Sequence, residues 1–494
     1  MKLTERQKYR LLEMVPGAIV WATLIAAVVL SFVRPLWVIG FIIVFDLYWL
    51  TRILYFTIFL ISSWRKFREV AATDWEAKLV GLPNADQTYH VIFLPTYKEA
   101  YGVLKSTLDG LAASKFPKER MIVVLAGEER DRDRFMANVT RLRAFFGNTF
   151  LRFLTTLHPI DQLGEIPGKG SNLNFAGRQV KEVIDAMGIP PERIVVSSFD
   201  VDTVVHPQYF AYLTYTYCTV PDPTRSSYQP MAVYNNNMWH SPAAVRVAAF
   251  GTTFWLMTEL PRPEFMSTFS SHSMPWKALT EVGFWQKDIV TEDSRIYLQA
   301  LLHYDGNYRV TPLYLPVSMD TVGGATLGQS LKNLYRQQRR WAWGVEHFPY
   351  LVTNFKKHPK FPRWKRVALL VKLSEGMHSW ATAPILMFVL GHLPLYLTRG
   401  TDRDLALVAN TPFTLQALMT LAMLGTILSA ILAVRMLPPR PQEKQRWNWL
   451  IMLAQWALLP VTFILFGSIP ATDAQTRLML GKYLGFNVSQ KRIT

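Results

Sequence analysis

Long apolar stretches lie near both ends of the 494-residue chain and enclose a segment of mixed polarity. Residues 15–33 carry no charge and are long enough to cross the hydrocarbon core of a bilayer as a helix. Arg34-Pro35 interrupts the pattern, and residues 36–62 predict a second span that crosses back. Residues 376–397, 411–434 and 448–468 predict three more. We therefore expect a multi-pass membrane protein with about five spans.

Basic residues beside the spans predict their orientation, because cytoplasmic loops carry an excess of lysine and arginine. The two outer ends of the first hairpin are basic, through Lys2, Arg6, Lys8, Arg10, Arg65, Lys66 and Arg68. The 435–446 loop is basic as well, whereas the 398–410 loop balances two arginines against two aspartates. We predict a protein of the cytoplasmic (inner) membrane whose middle segment faces the cytoplasm.

Two ionisable residues, Asp46 and Arg52, lie inside the second predicted span. Ionisable residues at such positions are functional candidates. Six positions at about 100° each place the two side chains on different faces of a helix, so they are not expected to pair. The alternative for Arg52 is that its long side chain reaches back to the cytoplasmic interface.

Between residues 70 and 330 the pattern changes to short apolar runs that alternate with amphipathic stretches. The runs predict strands at 90–95, 121–126, 151–157, 194–199 and 231–234, and the stretches predict helices at 99–114, 131–146 and 171–187. Apolar strands separated by helices favour a mostly parallel sheet covered on both faces. We predict an α/β domain inserted between transmembrane helices, with ligands bound beyond the carboxyl ends of the strands.

Composition removes two classes of function. The formal net charge of +17 could indicate nucleic-acid binding. The basic residues, however, cluster beside the apolar blocks as they do in cytoplasmic loops, so we expect no nucleic-acid partner. Cys218 is the only cysteine, which excludes a disulfide framework and a thiolate metal cluster.

Three short motifs carry candidate chemistry, and they occur in the order Asp200-Val201-Asp202, Thr291-Glu292-Asp293 and Gln337-x-x-Arg340-Trp341. Two carboxylates just after a strand can share a hard cation that neutralises a diphosphate. A carboxylate at the start of the helix predicted at 294–303 can accept a proton. An arginine can bind phosphate by charge-assisted hydrogen bonds while the neighbouring tryptophan stacks on a sugar. Together the motifs predict sugar transfer at a membrane.

Each motif also has a simpler explanation. The first can be a solvated acidic turn, the second an ordinary helix N-cap, and the third part of an interfacial amphipathic helix over residues 327–350. The first also fits the nucleophile signature of haloacid-dehalogenase phosphatases, although the downstream acidic pair of that family is not found. A phosphatase and a non-catalytic nucleotide-sugar-binding membrane subunit therefore remain as remote alternatives.

In these motifs and in its spans the chain resembles the membrane-integrated family 2 glycosyltransferases, which include cellulose and hyaluronan synthases. The resemblance covers about residues 88–345. It implies a GT-A (Rossmann-like) fold, an inverting single displacement, a nucleotide-sugar donor and Mg²⁺ or Mn²⁺. A UDP-sugar is the donor that we expect first.

The resemblance also implies roles for individual residues. Asp200 and Asp202 would hold the metal, and Asp293 would be the catalytic base. The acceptor would contact Glu292, His272 and Trp341. The donor would contact Pro95, Thr96, Tyr97, Glu99, Glu128, Lys169, Asn172, Asn174, Asp200, Gln337 and Arg340.

Two sequence elements depart from the family pattern. In the element at 95–99, Lys98 replaces the usual asparagine. After the second strand, where the family has an Asp-Asp-x-Ser/Thr element that reads the base, the chain has Ala126-Gly-Glu-Glu-Arg-Asp131. Glu128 is the residue that would take over this function.

The combined prediction is an inverting glycosyltransferase that passes a sugar to an acceptor hydroxyl at the membrane. Processive synthesis and export of a polysaccharide is the first expectation, and single transfer to make a glycolipid is the alternative. The acceptor is a carbohydrate or a lipid, and an export partner or a homo-oligomer fits the first expectation. The expected regions are an N-terminal hairpin (1–65), a catalytic domain (66–326), interfacial helices (327–375), C-terminal membrane helices (376–468) and a basic tail (469–494).

Overall fold

The computed structural model of the protein describes residues 3–398, 406–442 and 447–485. The balanced charges of the 398–410 loop, which predicted its side of the membrane, lie outside the described residues. The same holds for Lys2 and for the basic residues at 444 and 446.

A helical hairpin begins the fold and consists of α1 (Glu5–Val33) and α2 (Pro35–Ala72). The two helices meet at Arg34-Pro35, the break that the sequence predicts. Proline fits the first helical turn because its missing N–H would have no partner there. Both helices are long and apolar enough to cross a membrane, and α2 continues seven residues past the predicted boundary at residue 65.

An α/β domain follows the hairpin. Its strands are β1 (Tyr89–Pro95), β2 (Met121–Glu128), β3 (Arg152–His158), β4 (Ile194–Ser198), β5 (Val204–Val205), β6 (Ser226–Tyr234), β7 (His272–Pro275) and β8 (Arg309–Met319). Its helices are α3 (Trp75–Leu79), α4 (Tyr101–Ala112), α5 (Arg132–Phe146), α6 (Lys169–Met187), α7 (Tyr209–Thr219), α8 (Ala243–Glu259), α9 (Trp276–Glu281) and α10 (Glu292–His303). The five predicted strands and the helices between them are confirmed.

The strands form one mixed sheet in the order β3-β2-β1-β4-β7-β6-β8-β5. β1 pairs in parallel with both β2 and β4, and β2 pairs in parallel with β3. β7 runs antiparallel between β4 and β6, while β6 and β8 are parallel. The carboxyl ends of β1, β2 and β4 therefore meet at one edge of the sheet, where ligands of open α/β sheets bind.

The alternation of residues along β1 divides the core into two layers. Val91 and Phe93 face one layer, which contains the apolar side of α6, and Ile92 and Leu94 face the other, which contains α4, α5 and α7. Successive side chains of a strand point to opposite faces, so a fully apolar run needs cover on both. The predicted α/β GT-A (Rossmann-like) fold with helical regions at both ends is confirmed.

The chain continues into helices α11 (Leu327–Ala342), α12 (His347–Asn354), α13 (Arg363–Phe388), α14 (Leu393–Leu397), α15 (Ala406–Arg435), α16 (Asn448–Ala454), α17 (Leu459–Phe463) and α18 (Ile469–Met479). α15 and the helical run 448–479 are long and apolar enough to cross a membrane, which makes four such helices, with α1 and α2, in the part of the chain that the structure describes. The pair α13–α14, bent by 44°, makes up to five if it forms one span.

The first helix packs along the last helix described. A Cβ atom added to Gly17 of α1 would lie 2.6 Å from the carbonyl oxygen of Gln475, so only glycine permits this approach. Trp21 Nε1 donates to Thr476 Oγ1 at 2.9 Å. Arg10 Nη1 donates to the carbonyl oxygen of Leu478 at 2.7 Å, and thereby satisfies the C-terminal end of α18.

Arg52 has a partner that the sequence did not indicate. Its guanidinium forms an ion pair with Glu375 of α13 and donates to Tyr48 Oη at 2.8 Å. The side chain therefore joins α2 to α13. Asp46 is buried on α2. The structure does not pair it with Arg52, which agrees with the prediction from the helical spacing.

A second polar joint connects the α/β domain to the membrane helices. Arg262 lies over the rings of Tyr55, Phe56 and Phe59 of α2 and forms an ion pair with Glu259. Lys372 of α13 approaches the same carboxylate at 3.5 Å. The end of α8 is thus held against α2 and α13 together.

Candidate active site

Lys169 connects two of the three predicted motifs. Its ammonium group lies 2.8 Å from Asp200 Oδ1, and 2.9 Å and 2.8 Å from the two carboxylate oxygens of Asp293. Lys169 is the first residue of α6, Asp200 follows β4, and Asp293 lies in the first turn of α10. Residues far apart in sequence thus meet at the carboxyl edge of the sheet.

The cluster has a solvent-exposed side and a buried side, as the exposed fractions of its side chains show. Asp200 is 29% exposed and Asp293 is 19% exposed, whereas Lys169 is 9% exposed. The carboxylates can therefore be reached by a ligand, while the ammonium lies beneath them. Burial opposes the charged form of Lys169, but Asp200, Asp293 and Glu292 outweigh it and raise its pKa.

Glu292 lies on the buried side of the cluster. Its Oε1 is 3.8 Å from Lys169 Nζ, and its buried Oε2 has no hydrogen-bond partner among the described residues. Burial and the neighbouring charge of Asp293 raise its pKa to about 8, although Lys169 and Arg340 oppose that shift. In this structure Glu292 lies on the buried side of Lys169. Its contact with an acceptor remains a prediction.

The Asp200-Val201-Asp202 pair presents hard oxygen atoms on a rigid loop. Ser270 Oγ donates to Asp200 Oδ2 at 2.5 Å, and the backbone N–H of Asp320 donates to Asp202 Oδ2 at 2.8 Å. Within the described parts of the chain, no group of three or more histidine, cysteine, aspartate or glutamate side chains is arranged to hold a metal ion. Asp200 and Asp202 are two carboxylates that could hold part of the coordination shell of a cation here.

Tyr234 is a site residue that the sequence analysis missed. Its ring lies 5.9 Å from that of Trp341, measured between centroids. Burial raises the pKa of its hydroxyl, Asp200, Asp202 and Asp293 raise it further, and Arg340 lowers it. Tyr234 therefore lies within electrostatic range of all three motifs. Its position at the end of a predicted strand could have indicated Tyr234 as a site residue, because the strand ends of such sheets line the ligand crevice.

His272 is fully buried at the start of β7 and not on an open loop. Its Nδ1 donates to the carbonyl oxygen of Phe269 at 2.8 Å and lies 3.9 Å from Asp293 Oδ1. Burial lowers its pKa. The structure therefore places His272 in a strand, because residues 272–275 pair with β4 inside the sheet.

The element after β1 is shaped by the Glu99 carboxylate. Its Oε2 accepts hydrogen bonds from Thr96 Oγ1 at 2.8 Å and from the backbone N–H of Tyr97 at 2.5 Å. Lys98, which replaces the family's usual asparagine, has a φ of 67°. Asparagine visits this left-handed region more readily than lysine, so the turn is retained at some cost in strain. The guanidinium of Arg130 lies 4.0 Å from the centre of the Tyr97 ring.

The carboxylate of Glu128, at the end of β2, already has two ion-pair partners. Its Oε2 lies 3.3 Å from His158 Nδ1 and 3.4 Å from Arg130 Nε. His158 Nε2 lies 2.9 Å from Glu165 Oε2. Burial opposes protonation of His158, but its two carboxylate partners outweigh burial and raise its pKa. A ligand at Glu128 would therefore meet a carboxylate already shared with two basic groups.

Asn172 and Asn174 are both buried in α6. Asn172 Nδ2 donates to the carbonyl oxygen of Ala126 at 2.9 Å, and Asn174 Nδ2 donates to that of Trp285 at 2.6 Å. Asn172 thus lies beside the carboxyl end of β2, with an Oδ1 that has no partner among the described residues. Asn174 is bound on the other side, away from the carboxylates.

Comparison with known proteins settles the family. The sequence model described as "Glycosyl transferase family group 2" matches residues 195–466, which is more than half of the chain. The chain belongs to this glycosyltransferase family. The match includes the three motifs and most of the C-terminal helices. No curated protein matches the glycosyltransferase by sequence.

Two solved structures illustrate how far the likeness extends. The mannosyltransferase PcManGT from Pyrobaculum calidifontis, in complex with GDP-Man and Mn²⁺, is 15% identical and has a TM-score of 0.42, with 87% of this chain and 100% of that chain covered. S. aureus TarS 1-349 in complex with UDP-GlcNAc is 14% identical and has a TM-score of 0.32, with 68% and 90% covered. Both overlaps are too loose to carry an argument about function.

Gly170 of the glycosyltransferase provides a test of how tightly the site is packed. A Cβ atom here would lie 2.7 Å from the carbonyl oxygen of Gln286 and 3.1 Å from Glu292 Cβ. We expect Gly170→Ala to lower the free energy of unfolding by about 1–3 kcal/mol, because α6 must move away from the start of α10. Thermal unfolding in detergent measures the change.

The matched control is Gly328→Ala. Gly328 also lies in a helix, and a Cβ atom there would meet nothing within 4 Å. Alanine should stabilise this position by roughly 0.5–1 kcal/mol, since it restricts the unfolded chain. Equal effects of the two substitutions would contradict the close packing at Gly170.

Proposed function

We propose that the protein is an inverting glycosyltransferase that moves a sugar from a nucleotide-sugar donor to an acceptor hydroxyl at a membrane. The observation that carries the proposal is the meeting of Asp200, Asp293 and Lys169 within ion-pair distance, on the open edge of a GT-A sheet. Membership of the family supports the reaction class. The individual roles are argued from the geometry.

Asp293 is the proposed base. As the acceptor oxygen bonds to the anomeric carbon, the bond from that carbon to the diphosphate breaks, and the acceptor proton passes to the Asp293 carboxylate. Both of its carboxylate oxygens accept hydrogen bonds from the Lys169 ammonium in this structure. A bound diphosphate would compete for Lys169, so donor binding would free the base at the moment when it is needed.

Asp200 and Asp202 are the proposed metal ligands, and their chemistry fits Mg²⁺ or Mn²⁺. Magnesium is commonly held by one or two carboxylates plus substrate phosphates and water, which suits a site with only two protein ligands. When bound, such a cation would supply positive charge to the leaving diphosphate. Ser270 and the Asp320 amide orient the two carboxylates for this function.

The third motif is proposed to hold both substrates from the membrane side. Arg340 lies near enough to Glu292 and Tyr234 to shift their pKa values, so its guanidinium can add charge at the diphosphate. Trp341 packs against Tyr234 and offers a ring to the acceptor sugar. Gln337 and Trp341 line one depression with Tyr234.

The nucleoside is proposed to lie over the ends of β1 and β2. Tyr97 offers a ring there, and Glu128 offers a carboxylate for the base. Because Glu128 already forms ion pairs with His158 and Arg130, the proposed UDP-sugar would share its carboxylate with both. The nature of the base is therefore the first property for a donor scan to settle.

Four or five candidate spans in the described residues support the membrane setting of the proposal. We propose that residues 66–326 form a cytoplasmic catalytic domain on an inner-membrane anchor, with α11 and α12 at the interface. Spans on both sides of the domain support processive synthesis with export of a polysaccharide, as in the cellulose and hyaluronan synthases. Export through so few helices would need an export partner or a second copy of the chain, whereas single transfer to a lipid needs neither.

The test is a scan of radiolabelled nucleotide sugars with reconstituted protein, with Mn²⁺ or Mg²⁺ and then with chelator. We expect chelator-sensitive transfer from one donor into a long, glycosidase-digestible product. Transfer into an organic-extractable product would identify a glycolipid enzyme. Binding of a donor with no turnover would contradict the transfer reaction and favour a non-catalytic subunit.

A further inference from the structure

A partly buried polar joint lies next to the proposed base. Glu346 ends the helical turn Trp343–Glu346, which follows α11. Its Oε1 accepts from Thr291 Oγ1 at 2.6 Å, and its Oε2 accepts from Trp343 Nε1 at 2.9 Å. Thr291 is the N-cap residue of α10, two positions before Asp293. One carboxylate thus connects the start of α10 to the helical segment that carries the third motif.

The next residue, His347, holds the same turn of α10. Its Nδ1 accepts from Arg295 Nε at 3.2 Å, and its Nε2 lies 2.8 Å from Ser294 Oγ. Since Nδ1 accepts, Nε2 carries the proton and donates to Ser294. Burial lowers the pKa of His347, which fits this neutral form. The Glu346-His347 pair therefore contacts α10 at positions 291, 294 and 295, on either side of the base.

Further contacts hold the residues of the joint in place. The Arg295 guanidinium lies 3.7 Å from the centre of the Tyr350 ring and donates to Gln286 Oε1 at 2.8 Å. Val290 packs with Trp343 and Val345, and with apolar residues of the membrane helices α1, α13 and α18. Burial raises the pKa of the Glu346 carboxyl to about 7, against the opposing effects of Arg295, Thr291 and Trp343.

We propose that Glu346 is a positioning residue of the transfer reaction. Through Thr291 it fixes the start of α10, and with it Asp293, relative to the helix that carries Gln337, Arg340 and Trp341. The inference rests on the proposed function, because it assigns Asp293 and the third motif to the same reaction. Glu346 touches neither substrate, and it acts through the backbone of α10.

The decisive variants are Glu346→Ala and Glu346→Gln. Alanine leaves the Thr291 hydroxyl and the Trp343 N–H without their acceptor, so the first turn of α10 loosens. Misplacement of a catalytic group by about 1 Å can cost about 100-fold, and we expect Glu346→Ala to lower kcat for transfer about 10- to 100-fold. The donor Kd should change less than about twofold, since donor contacts lie elsewhere.

Glutamine keeps the shape of the joint, because its carbonyl can accept from Trp343 and its amide can donate to Thr291 Oγ1. We expect Glu346→Gln to retain kcat within about threefold of wild type. Thr291→Val removes the hydroxyl with little change in shape and should reproduce much of the loss. Because both changes break one contact, the double variant should be no slower than Glu346→Ala alone.

Hydrogen–deuterium exchange gives a readout that does not depend on turnover. We expect amides of residues 292–297 to exchange at least about tenfold faster in Glu346→Ala and Thr291→Val, while β1, β2 and β4 stay protected. The control is Glu259→Ala, which removes another buried carboxylate that joins the domain to the membrane helices without contacting α10. It should leave the exchange of α10 unchanged.

Wild-type kcat and exchange in both Glu346→Ala and Thr291→Val would overturn the proposal. So would an equal loss of kcat and donor affinity in Glu346→Gln, because that pattern indicates a general loss of folding. If the wild-type protein turned over no donor, the proposed function would fail, while the exchange measurement would still decide whether Glu346 holds α10.

Discussion

Asp293→Asn will abolish sugar transfer while the protein still binds its donor. A positioned general base contributes about 10²- to 10⁴-fold, and the amide cannot accept the acceptor proton, so we expect kcat to fall by that factor. The amide keeps the size of the side chain, and its oxygen still faces Lys169. Initial rates of transfer, together with donor Kd by calorimetry, measure the two effects separately.

Asp288→Asn is the matched control for this experiment. Asp288 lies five residues upstream, is exposed, and accepts a hydrogen bond from Gln286 at 2.9 Å. The same chemical change there should leave kcat within about twofold, as expected for a surface substitution. Wild-type turnover in Asp293→Asn would remove Asp293 from the mechanism and leave Glu292 as the next carboxylate to test.

Lys169→Met will lower both stability and donor binding. The side chain is 9% exposed and is the common partner of three carboxylates. Removing one member of a buried ion pair typically costs about 3–5 kcal/mol, because the remaining charge is left without compensation. We expect a loss of that size in the free energy of unfolding, measured by chemical denaturation in detergent, together with at least about tenfold weaker donor binding.

The loss of stability in Lys169→Met should depend on pH, and the direction follows from the pKa shift of Glu292. Lys169 lowers the pKa of Glu292, so its removal raises that pKa further above about 8. A carboxyl group with a raised pKa in the folded state favours folding at low pH and loses that effect as pH rises. The deficit of Lys169→Met should therefore grow as pH rises above about 8, where Glu292 ionises in the folded wild type but stays protonated in the folded variant.

Lys181→Met serves as the control on the same helix. Lys181 pairs with Asp185 at the surface, where the two side chains are 45% and 54% exposed. Surface ion pairs contribute little to stability, so Lys181→Met should change the free energy of unfolding by no more than about 0.5 kcal/mol. Equal losses at positions 169 and 181 would mean that the ion-pair cluster has no special role in stability.

The sequence predicted those strands that are apolar on both faces. β1, β2 and β4 begin and end within about two residues of their predicted bounds, because continuous buried runs leave few alternatives. β7 and β8 were missed for a physical reason. β7 is the short polar run His272–Pro275, and β8 contains two prolines, which cannot donate to a ladder. Their pairing depends on partners distant in sequence.

Some features of the candidate site could likewise be predicted from local sequence, and others could not. The three motifs could be read locally, and the structure brings Asp200 and Asp293 together as their order suggested. The contacts that join the motifs could not be read, since Tyr234, Ser270 and Glu346 belong to segments whose local pattern explains them as strand, turn and helix. Likewise, Arg52 finds Glu375 across two helices, which no spacing within α2 could reveal.

The packing of α1 against α18 has a consequence for how the protein is made. The ribosome synthesises α1 before the α/β domain, yet the partner that covers Gly17 and Trp21 leaves it only after that domain. Until then α1 lacks the surface against which it packs in the folded protein. Because Val290, beside the start of α10, packs in one cluster with residues of α1 and α18, the nascent chain cannot give α10 its final surroundings before α18 has been made. The site at the start of α10 is therefore completed late in synthesis.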